Sequence, residues 1–194
     1  MSAAGDDAGR RLTSRIEIAP LASSPAAIAA LAEILVEVVA NGGSVSFMHP
    51  LSPETAAAFW AQSLAAAEAG RRIVLGAWAD GELAGAVTLD FETPPNQPHR
   101  AEIAKLMTAL AWRRCGVARA LMIEAERLAA AHGRALLTLD TAEEDGAGGL
   151  YERLGFTFAG AIPDYAFKPQ GGLTGTRIYF KRIGAGAAVD AAPA

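Results

Sequence analysis

One stretch of this sequence decides the fold: Arg113-Arg114-Cys115-Gly116-Val117-Ala118. An extended segment at residues 100–108 precedes it, and an amphipathic pattern typical of a helix follows at residues 116–132. A strand that turns through small residues into a helix directs several unpaired backbone N–H groups, and the positive end of the helix dipole, at one point. The pattern therefore predicts a loop that binds a pyrophosphate.

Charge and side-chain size support this prediction. Arg113, Arg114 and Arg119 add positive charge beside the loop. Gly116 and Ala118 carry almost no side chain, so a phosphate can approach the main chain closely. Neither the P-loop pattern nor the dinucleotide pattern Gly-x-Gly-x-x-Gly stands at this position. The alternative interpretation of these residues is an ordinary basic helix start without a ligand.

Length and composition indicate one globular domain. The chain has 194 residues, 52% of them hydrophobic and 20% charged, which is enough for one well-buried domain and short for two. A net charge of -4 without a long basic run argues against nucleic-acid binding. The single cysteine, Cys115, favours a reducing compartment. Residues 1–13 lack an apolar signal core, and the apolar run at residues 26–40 is too short to span a bilayer. We expect a cytoplasmic protein that does not enter a membrane.

Capping and turn signals divide the chain into eleven elements in the order β-α-α-β-β-β-α-β-α-β-β. We expect one domain at residues 14–183, with disordered tails rich in Gly, Ala and Asp at residues 1–13 and 184–194. A helix between the fourth and fifth strands predicts that these two run parallel in a mixed, mostly antiparallel sheet of seven strands, with helices on both faces. Strands are expected at residues 15–19, 73–79, 83–91, 100–108, 135–140, 156–162 and 176–181, and helices beginning at Pro25 and Pro53 and spanning residues 116–132 and 147–154.

The loop and this order of elements resemble the GNAT superfamily of N-acetyltransferases. The loop fits that family's Gln/Arg-x-x-Gly-x-Gly/Ala pattern for the coenzyme A pyrophosphate and falls between the fourth strand and the third helix. The family's Phe-Tyr-x-x-x-Gly-Phe signature is similar to residues 150–156, in which Leu150 replaces the usual Phe. The resemblance implies the GNAT fold and acetyl-CoA as the cosubstrate.

Other stretches are similar to the tabtoxin-resistance acetyltransferases within this superfamily. The similarity extends over roughly residues 15–183. That group transfers acetyl to an amino group of a small β-lactam dipeptide-derived toxin, so the resemblance implies a small-molecule amine as acceptor. The matching stretches are Gly42-Gly43-Ser44-Val45-Ser46-Phe47-Met48, Arg100-Ala101-Glu102-Ile103-Ala104-Lys105-Leu106-Met107, Leu139-Asp140-Thr141 and Ile178-Tyr179-Phe180-Lys181.

Three side chains are candidates for the chemistry of acetyl transfer. An alkyl amine is mostly protonated at pH 7, so a carboxylate that removes its proton assists attack. Asp140 ends a predicted strand, where open α/β sheets bind ligands, and the resemblance gives it the role of base. The alternative is a helix-capping or solvated aspartate. By resemblance, Tyr151 donates a proton to the leaving thiolate, the alternative being simple packing. Also by resemblance, Glu102 orients the amine or relays its proton through water; the alternative is a pairing with Lys105 or Arg100.

The remaining candidates concern the cosubstrate. By resemblance, Leu106, Met107 and Thr108 present backbone groups to the pantetheine arm, and one of their N–H groups polarises the thioester carbonyl. Ordinary strand pairing is the alternative. The predicted pyrophosphate contacts are Arg113, Arg114, Cys115, Gly116, Val117 and Ala118. The three histidines are scattered, so no metal is expected.

Together these features predict an acetyl-CoA-dependent N-acetyltransferase that acts on a primary amine by direct attack, without an acyl-enzyme. A homodimer is compatible with the sequence. One alternative is a different acceptor: an amino acid, a polyamine or a protein N-terminus. Another is a catalytically silent module that only binds acetyl-CoA. The presence of both Asp140 and Tyr151 speaks against the silent module, since binding alone needs neither.

Overall fold

The strands and helices follow one another in the predicted order. The computed structural model describes residues 15–143 and 148–184, so the predicted tails, apart from residue 184, lie outside the described residues. The strands are β1 (Glu17–Pro20), β2 (Arg72–Ala79), β3 (Glu82–Asp90), β4 (Arg100–Thr108), β5 (Leu136–Ala142), β6 (Thr157–Phe167) and β7 (Leu173–Arg182). The helices are α1 (Pro25–Ala40), α2 (Pro53–Glu68), α3 (Val117–Ala131) and α4 (Gly148–Arg153), with a 3₁₀ turn at Leu110–Trp112.

The last two strands are longer than predicted. The sequence places them at residues 156–162 and 176–181, whereas they span Thr157–Phe167 and Leu173–Arg182. The first of them contains Pro163, which cannot donate to a ladder. β6 lies at the edge of the sheet, and its register with β7 shifts between Ile162 and Ala166. An edge position with a bulge accommodates the proline, and the strand continues past it.

A seven-stranded sheet in the order β1-β2-β3-β4-β5-β7-β6 forms the centre of the domain. Neighbouring strands are antiparallel except β4 and β5, which are parallel. The prediction of a mixed, mostly antiparallel sheet is confirmed. The helix α3 crosses between the two parallel strands, as a parallel connection requires.

Helices cover both faces of the sheet, as predicted. On one face, α3 buries Val117, Leu121 and Ala125 in a core that continues to Tyr151 of α4. On the other face, α1 and α2 bury a second core around Leu35 and Trp60. None of the helices among residues 15–143 and 148–184 is long and apolar enough to cross a bilayer.

In the middle of strand β4, the regular alternation of its side chains between the two faces of the sheet is shifted by one residue. Ala86 of β3 pairs with Met107 and Thr88 pairs with Ala104, so two residues of β4 stand opposite one residue of β3. This β-bulge places Lys105 in the left-handed region, with φ of 52°. Ile103 before the bulge is buried on the α3 face, whereas Met107 after it is buried on the α1 and α2 face. The bulge therefore decides which side chains of β4 point to the α3 face and which point to the α1 and α2 face.

Close packing between β3, β4 and α3 leaves no room for a side chain at Gly85. A Cβ there would lie 2.5 Å from the Met107 carbonyl oxygen and 2.8 Å from Cγ1 of Val117. We expect Gly85→Ala to lower the free energy of unfolding by about 1–3 kcal/mol, because backbone must move to admit the methyl group. Urea denaturation measures the change. In the control Gly160→Ala, the new Cβ meets nothing within 4 Å, so stability should stay close to that of the wild type.

Candidate active site

A cleft opens where β4 and β5 separate. The ladder between them contains only three residue pairs and ends at Glu102 and Thr138, although both strands continue. The gap widens into a cleft of about 950 Å³. Its walls consist of residues 41–46, 102–108, 140–142, 165–167 and 174–176, with Tyr151 and the start of α3. The fold thus brings the three predicted catalytic side chains to the same cleft as most of the predicted pyrophosphate loop.

The first turn of α3 faces this cleft with its backbone donors unused. Gly116 caps the helix with φ of 87° and provides no side-chain acceptor. Within the described part of the chain, the N–H groups of Gly116, Val117, Ala118 and Arg119 have no acceptor, and the first bonded one is that of Ala120. Four convergent donors at a helix N-terminus are suited to bind an anion.

Positive charge around the first turn of α3 adds to its preference for an anion. Arg113 and Arg114 are exposed, and both line the cleft with Arg119. No carboxylate of residues 15–143 or 148–184 forms an ion pair with any of the three. Glu37 of α1 contacts the 3₁₀ turn that precedes the loop: its Oε2 accepts a hydrogen bond from the Leu110 N–H at 2.9 Å. The sequence analysis did not identify this role of Glu37.

Asp140 presents its carboxylate to the cleft from within β5. The strand continues to Ala142, so Asp140 does not cap a helix, which is one alternative the sequence left open. It lies just beyond the last pair with β4. Its Oδ2 accepts a hydrogen bond from the Thr176 hydroxyl of β7 at 3.0 Å. Nothing in the sequence indicated Thr176, because the partner strand is 36 residues away along the chain.

Glu102 lines the cleft but also has a structural partner. Arg100 Nη1 lies 3.3 Å from its Oε2 and donates a 2.8 Å hydrogen bond to Thr138 Oγ1. Of the two pairings that the sequence offered as alternatives, the ion pair with Arg100 is present. The Arg100 guanidinium therefore positions the Glu102 carboxylate at the point where β4 and β5 separate.

Lys105 brings a positive charge to the cleft that the two carboxylates also line. Its Nζ donates a 3.0 Å hydrogen bond to Ser46 Oγ in the connection between α1 and α2. Burial lowers the pKa of the Lys105 ammonium from its usual value, while Asp140 and Glu102 act in the opposite direction. Sequence reasoning considered Lys105 only as a partner for Glu102. A lysine inside an otherwise apolar strand segment was the available signal.

Tyr151 is both packed and accessible to the cleft. Its ring centroid lies 6.1 Å from that of Phe156 and 5.7 Å from that of Tyr179, and its residue is 6% exposed. It also lines the cleft beside the start of α3. The two interpretations drawn from the sequence are thus compatible, because the ring packs in the core while the residue borders the cleft.

The sequence of the site matches a known family. The model of the acetyltransferase (GNAT) family matches residues 39–156, which is more than half of the chain and contains β4, the loop, Asp140 and Tyr151. The chain belongs to the GNAT acetyltransferase family. It is therefore an acetyltransferase, and the fold described above is the fold of a single GNAT domain.

Solved structures share this GNAT fold over almost their whole length. The yncA protein of Salmonella typhimurium, solved with its cofactor acetyl-CoA, is 19% identical with a TM-score of 0.74, covering 91% of this chain and 99% of that chain. An N-acetyltransferase from Staphylococcus aureus Mu50 is 17% identical with a TM-score of 0.74, covering 87% and 99%. Ribosomal-protein-alanine N-acetyltransferase from Brucella melitensis is 20% identical with a TM-score of 0.74, covering 86% and 99%. At these identities the likeness shows the fold.

One predicted pyrophosphate contact and Phe47 of the family-like stretch at residues 42–48 lie outside the cleft of this GNAT domain. Cys115 does not line it: its N–H donates to the Trp112 carbonyl, its thiol lies 3.5 Å from the Arg113 carbonyl oxygen, and it packs against the α3 core. Phe47 of the α1–α2 connection packs edge-to-face on Phe59 with centroids 5.1 Å apart. In that connection, residues 41–46 border the cleft instead.

The α1–α2 connection is tied to the turn between β6 and β7. The His49 N–H donates to the Pro169 carbonyl at 2.8 Å. The Gln170 side-chain amide donates to the Val39 and Ala40 carbonyls at the end of α1, both at 3.2 Å. These contacts join two segments next to the cleft. Residues 41–46 of the connection line it, as do residues 165–167 and 174–176 on either side of the turn. No group of three or more metal-ligating side chains occurs among the residues that the structure describes.

Proposed function

We propose that this protein transfers the acetyl group of acetyl-CoA to a primary amine of a small molecule by direct attack. The observation that carries the proposal is the shared cleft. Asp140, Tyr151 and the unpaired first turn of α3 all border it. Binding an anion requires only the helix turn, whereas a carboxylate and a phenol on the same cleft are the groups that amine acetylation uses.

Two parts of the site fit acetyl-CoA. The N–H groups of Gly116 to Arg119 and the guanidinium groups of Arg113 and Arg114 match a pyrophosphate in charge and donor number. Beyond Glu102, the edge of β4 that faces β5 has no ladder partner among the described residues. Leu106, Met107 and Thr108 lie on this edge, where an extended pantetheine arm can bind as an added strand does.

The reaction assigns one proton transfer to each catalytic side chain. Acetyl-CoA supplies the thioester. Asp140, oriented by the Thr176 hydroxyl, takes a proton from the acceptor ammonium, directly or through water. The neutral amine nitrogen then attacks the thioester carbonyl carbon, and the C–S bond breaks. The nitrogen, which still carries one proton more than an amide holds, releases that proton to water, and the leaving thiolate takes a proton from Tyr151. A β4 backbone N–H polarises the carbonyl, and Glu102 orients the amine. Solvent returns the proton to Tyr151 and removes that of Asp140.

The acceptor is assigned to the small-molecule class by the resemblance to the tabtoxin-resistance acetyltransferases. A screen for thiol release from acetyl-CoA against amines tests this assignment. The panel contains β-lactam amino acids, ordinary amino acids, polyamines and peptides with free N-termini. Release with small amines and not with peptides supports the proposal. Release with peptides alone favours a protein N-terminus as acceptor. Tight acetyl-CoA binding without release from any amine favours the silent binding module.

Removal of the two loop arginines should weaken cosubstrate binding. We expect the double variant Arg113→Ala/Arg114→Ala to bind acetyl-CoA about 10- to 100-fold more weakly, since each exposed charge-assisted contact contributes about 1 kcal/mol. Isothermal titration calorimetry measures the dissociation constant. Both arginines are exposed, so the melting temperature should change little.

The control for this variant is Arg127→Ala on the same helix. Arg127 is exposed and pairs with Glu124, and it does not line the cleft. Its replacement removes the same type of charge without touching the loop, so acetyl-CoA affinity should be retained. Equal affinities for the double variant and the wild type would contradict the assignment of the loop.

A further inference from the structure

Lys105 occupies its place in the cleft through an unusual backbone conformation. It stands in the β4 bulge with φ of 52°. This lies in the left-handed region of backbone conformation, which non-glycine residues enter at a cost in free energy. Glycine or asparagine would adopt this conformation more readily. The bulge directs the long side chain of Lys105 into the cleft, on the side of the α1–α2 connection and the Phe59 ring.

The ammonium of Lys105 is only partly satisfied by the protein. It can donate three hydrogen bonds, and its one acceptor among residues 15–143 and 148–184 is Ser46 Oγ. The Phe59 ring centroid lies 5.9 Å from its Nζ. No carboxylate of the described residues forms an ion pair with it: Glu102 pairs with Arg100, and Asp140 accepts from Thr176. Burial disfavours the charged form of Lys105, and Asp140 and Glu102 oppose this effect without a direct ion pair.

We propose that Lys105 and Ser46 form a subsite for a carboxylate of the acceptor, so that the preferred acceptor is an amino acid or a close analogue. This inference rests on the proposed function and adds to it a binding site for the acceptor's second charged group, its carboxylate. Asp140 and Glu102 attract the acceptor's ammonium, and Lys105 next to them attracts its carboxylate. A zwitterion matches this alternation of charges, whereas a simple amine leaves Lys105 without a counter-ion and a polyamine meets it with repulsion.

Matched pairs of acceptors test the subsite. We compare L-α-amino acids with their primary carboxamides, which keep the amine and the size but lack the negative charge. With the wild type we expect kcat/KM to favour the acids by about 10- to 100-fold, as a lost charge-assisted contact predicts. Lys105→Met keeps the length of the side chain and removes its charge, so the ratio of acid to amide should fall to about one through a higher KM for the acids.

Three further variants sharpen the test. Lys105→Arg restores the charge and should recover part of the preference for acids. Ser46→Ala removes the hydroxyl that holds the ammonium and should reduce the preference several-fold. The control Lys168→Met removes a lysine outside the cleft and should leave the preference unchanged. Circular dichroism and acetyl-CoA titration establish that each variant is folded and binds its cosubstrate.

Two results would overturn the inference while leaving the proposed function intact. One is equal kcat/KM for acids and amides in the wild type. The other is a loss of kcat in Lys105→Met that is the same for acids and amides, which would make Lys105 a proton carrier instead of a specificity determinant. Absence of thiol release with every acid and amide is a different outcome: it contradicts the proposed function, and the inference falls with it.

Discussion

Asp140→Asn should lower the rate of acetyl transfer at pH 7 by about 100- to 10,000-fold, the usual contribution of a general base. Asparagine has nearly the same shape and its carbonyl oxygen can still accept the Thr176 hydrogen bond, so the local structure should persist. What it loses is the ability to take a proton. Acetyl-CoA binding, measured by calorimetry, should therefore be retained while kcat falls.

The dependence of the reaction rate on pH distinguishes an aspartate that acts as a general base from one that has only a structural role. As the pH rises toward the acceptor's own pKa of about 10, more of the amine is neutral in solution, and the rate of the Asn variant should recover. The control Thr176→Val removes the hydroxyl and keeps the carboxylate, so its loss should be smaller and should not be repaired by raising the pH. Full activity of Asp140→Asn at pH 7 would transfer the role of base to Glu102 or to ordered water, and Glu102→Gln then distinguishes these two.

Tyr151→Phe should reduce turnover roughly 10- to 1,000-fold while leaving acetyl-CoA affinity unchanged. The ring packs against Phe156 and Tyr179, and phenylalanine preserves both contacts. The substitution removes only the hydroxyl, which we propose as the proton donor for the leaving thiolate. Steady-state kinetics with a saturating acceptor measure kcat, and thermal denaturation checks that the core is intact.

Tyr179→Phe is the matched control for this variant. Tyr179 belongs to the same aromatic cluster, but its hydroxyl lies 3.5 Å from Glu152 Oε1 and its residue does not line the cleft. Turnover of Tyr179→Phe should stay within about twofold of the wild type, as for a substitution that touches no reacting group. If both variants kept full turnover, the thiolate would be protonated by water or by another group.

The elements of the fold could be predicted because their signals are local. Ser24 and Ser52 stand directly before the prolines at which two helices were predicted to begin, and each hydroxyl accepts a backbone N–H three residues ahead, at 3.1 and 3.2 Å. Asp80-Gly81, a common hairpin turn sequence, follows the strand predicted at residues 73–79, and both residues have positive φ, at 51° and 81°. Such signals depend on a few neighbouring residues, so they can be identified without knowledge of the sheet.

Several features of the site could not be predicted, because they depend on contacts between distant segments. The bulge at Lys105 arises from a mismatch of register between β3 and β4, and it reversed the faces that regular alternation assigns to β4. The hydrogen bonds from Thr176 to Asp140 and from the Leu110 N–H to Glu37 join residues 36 and 73 positions apart. Neither pairing leaves a pattern in the local sequence.

By itself the sequence determined the order of the elements and the helix turn for an anion, since each depends on local composition and spacing, and its resemblance to a known family indicated the candidate carboxylates and phenol. Only the tertiary structure decided where β4 and β5 separate, and therefore that Glu102 and Asp140 border one cleft. It also decided that Lys105 lines the same cleft and that Cys115 does not. The physical reason is that strand register, bulges and side-chain pairing are set by packing the whole sheet between its two helical layers.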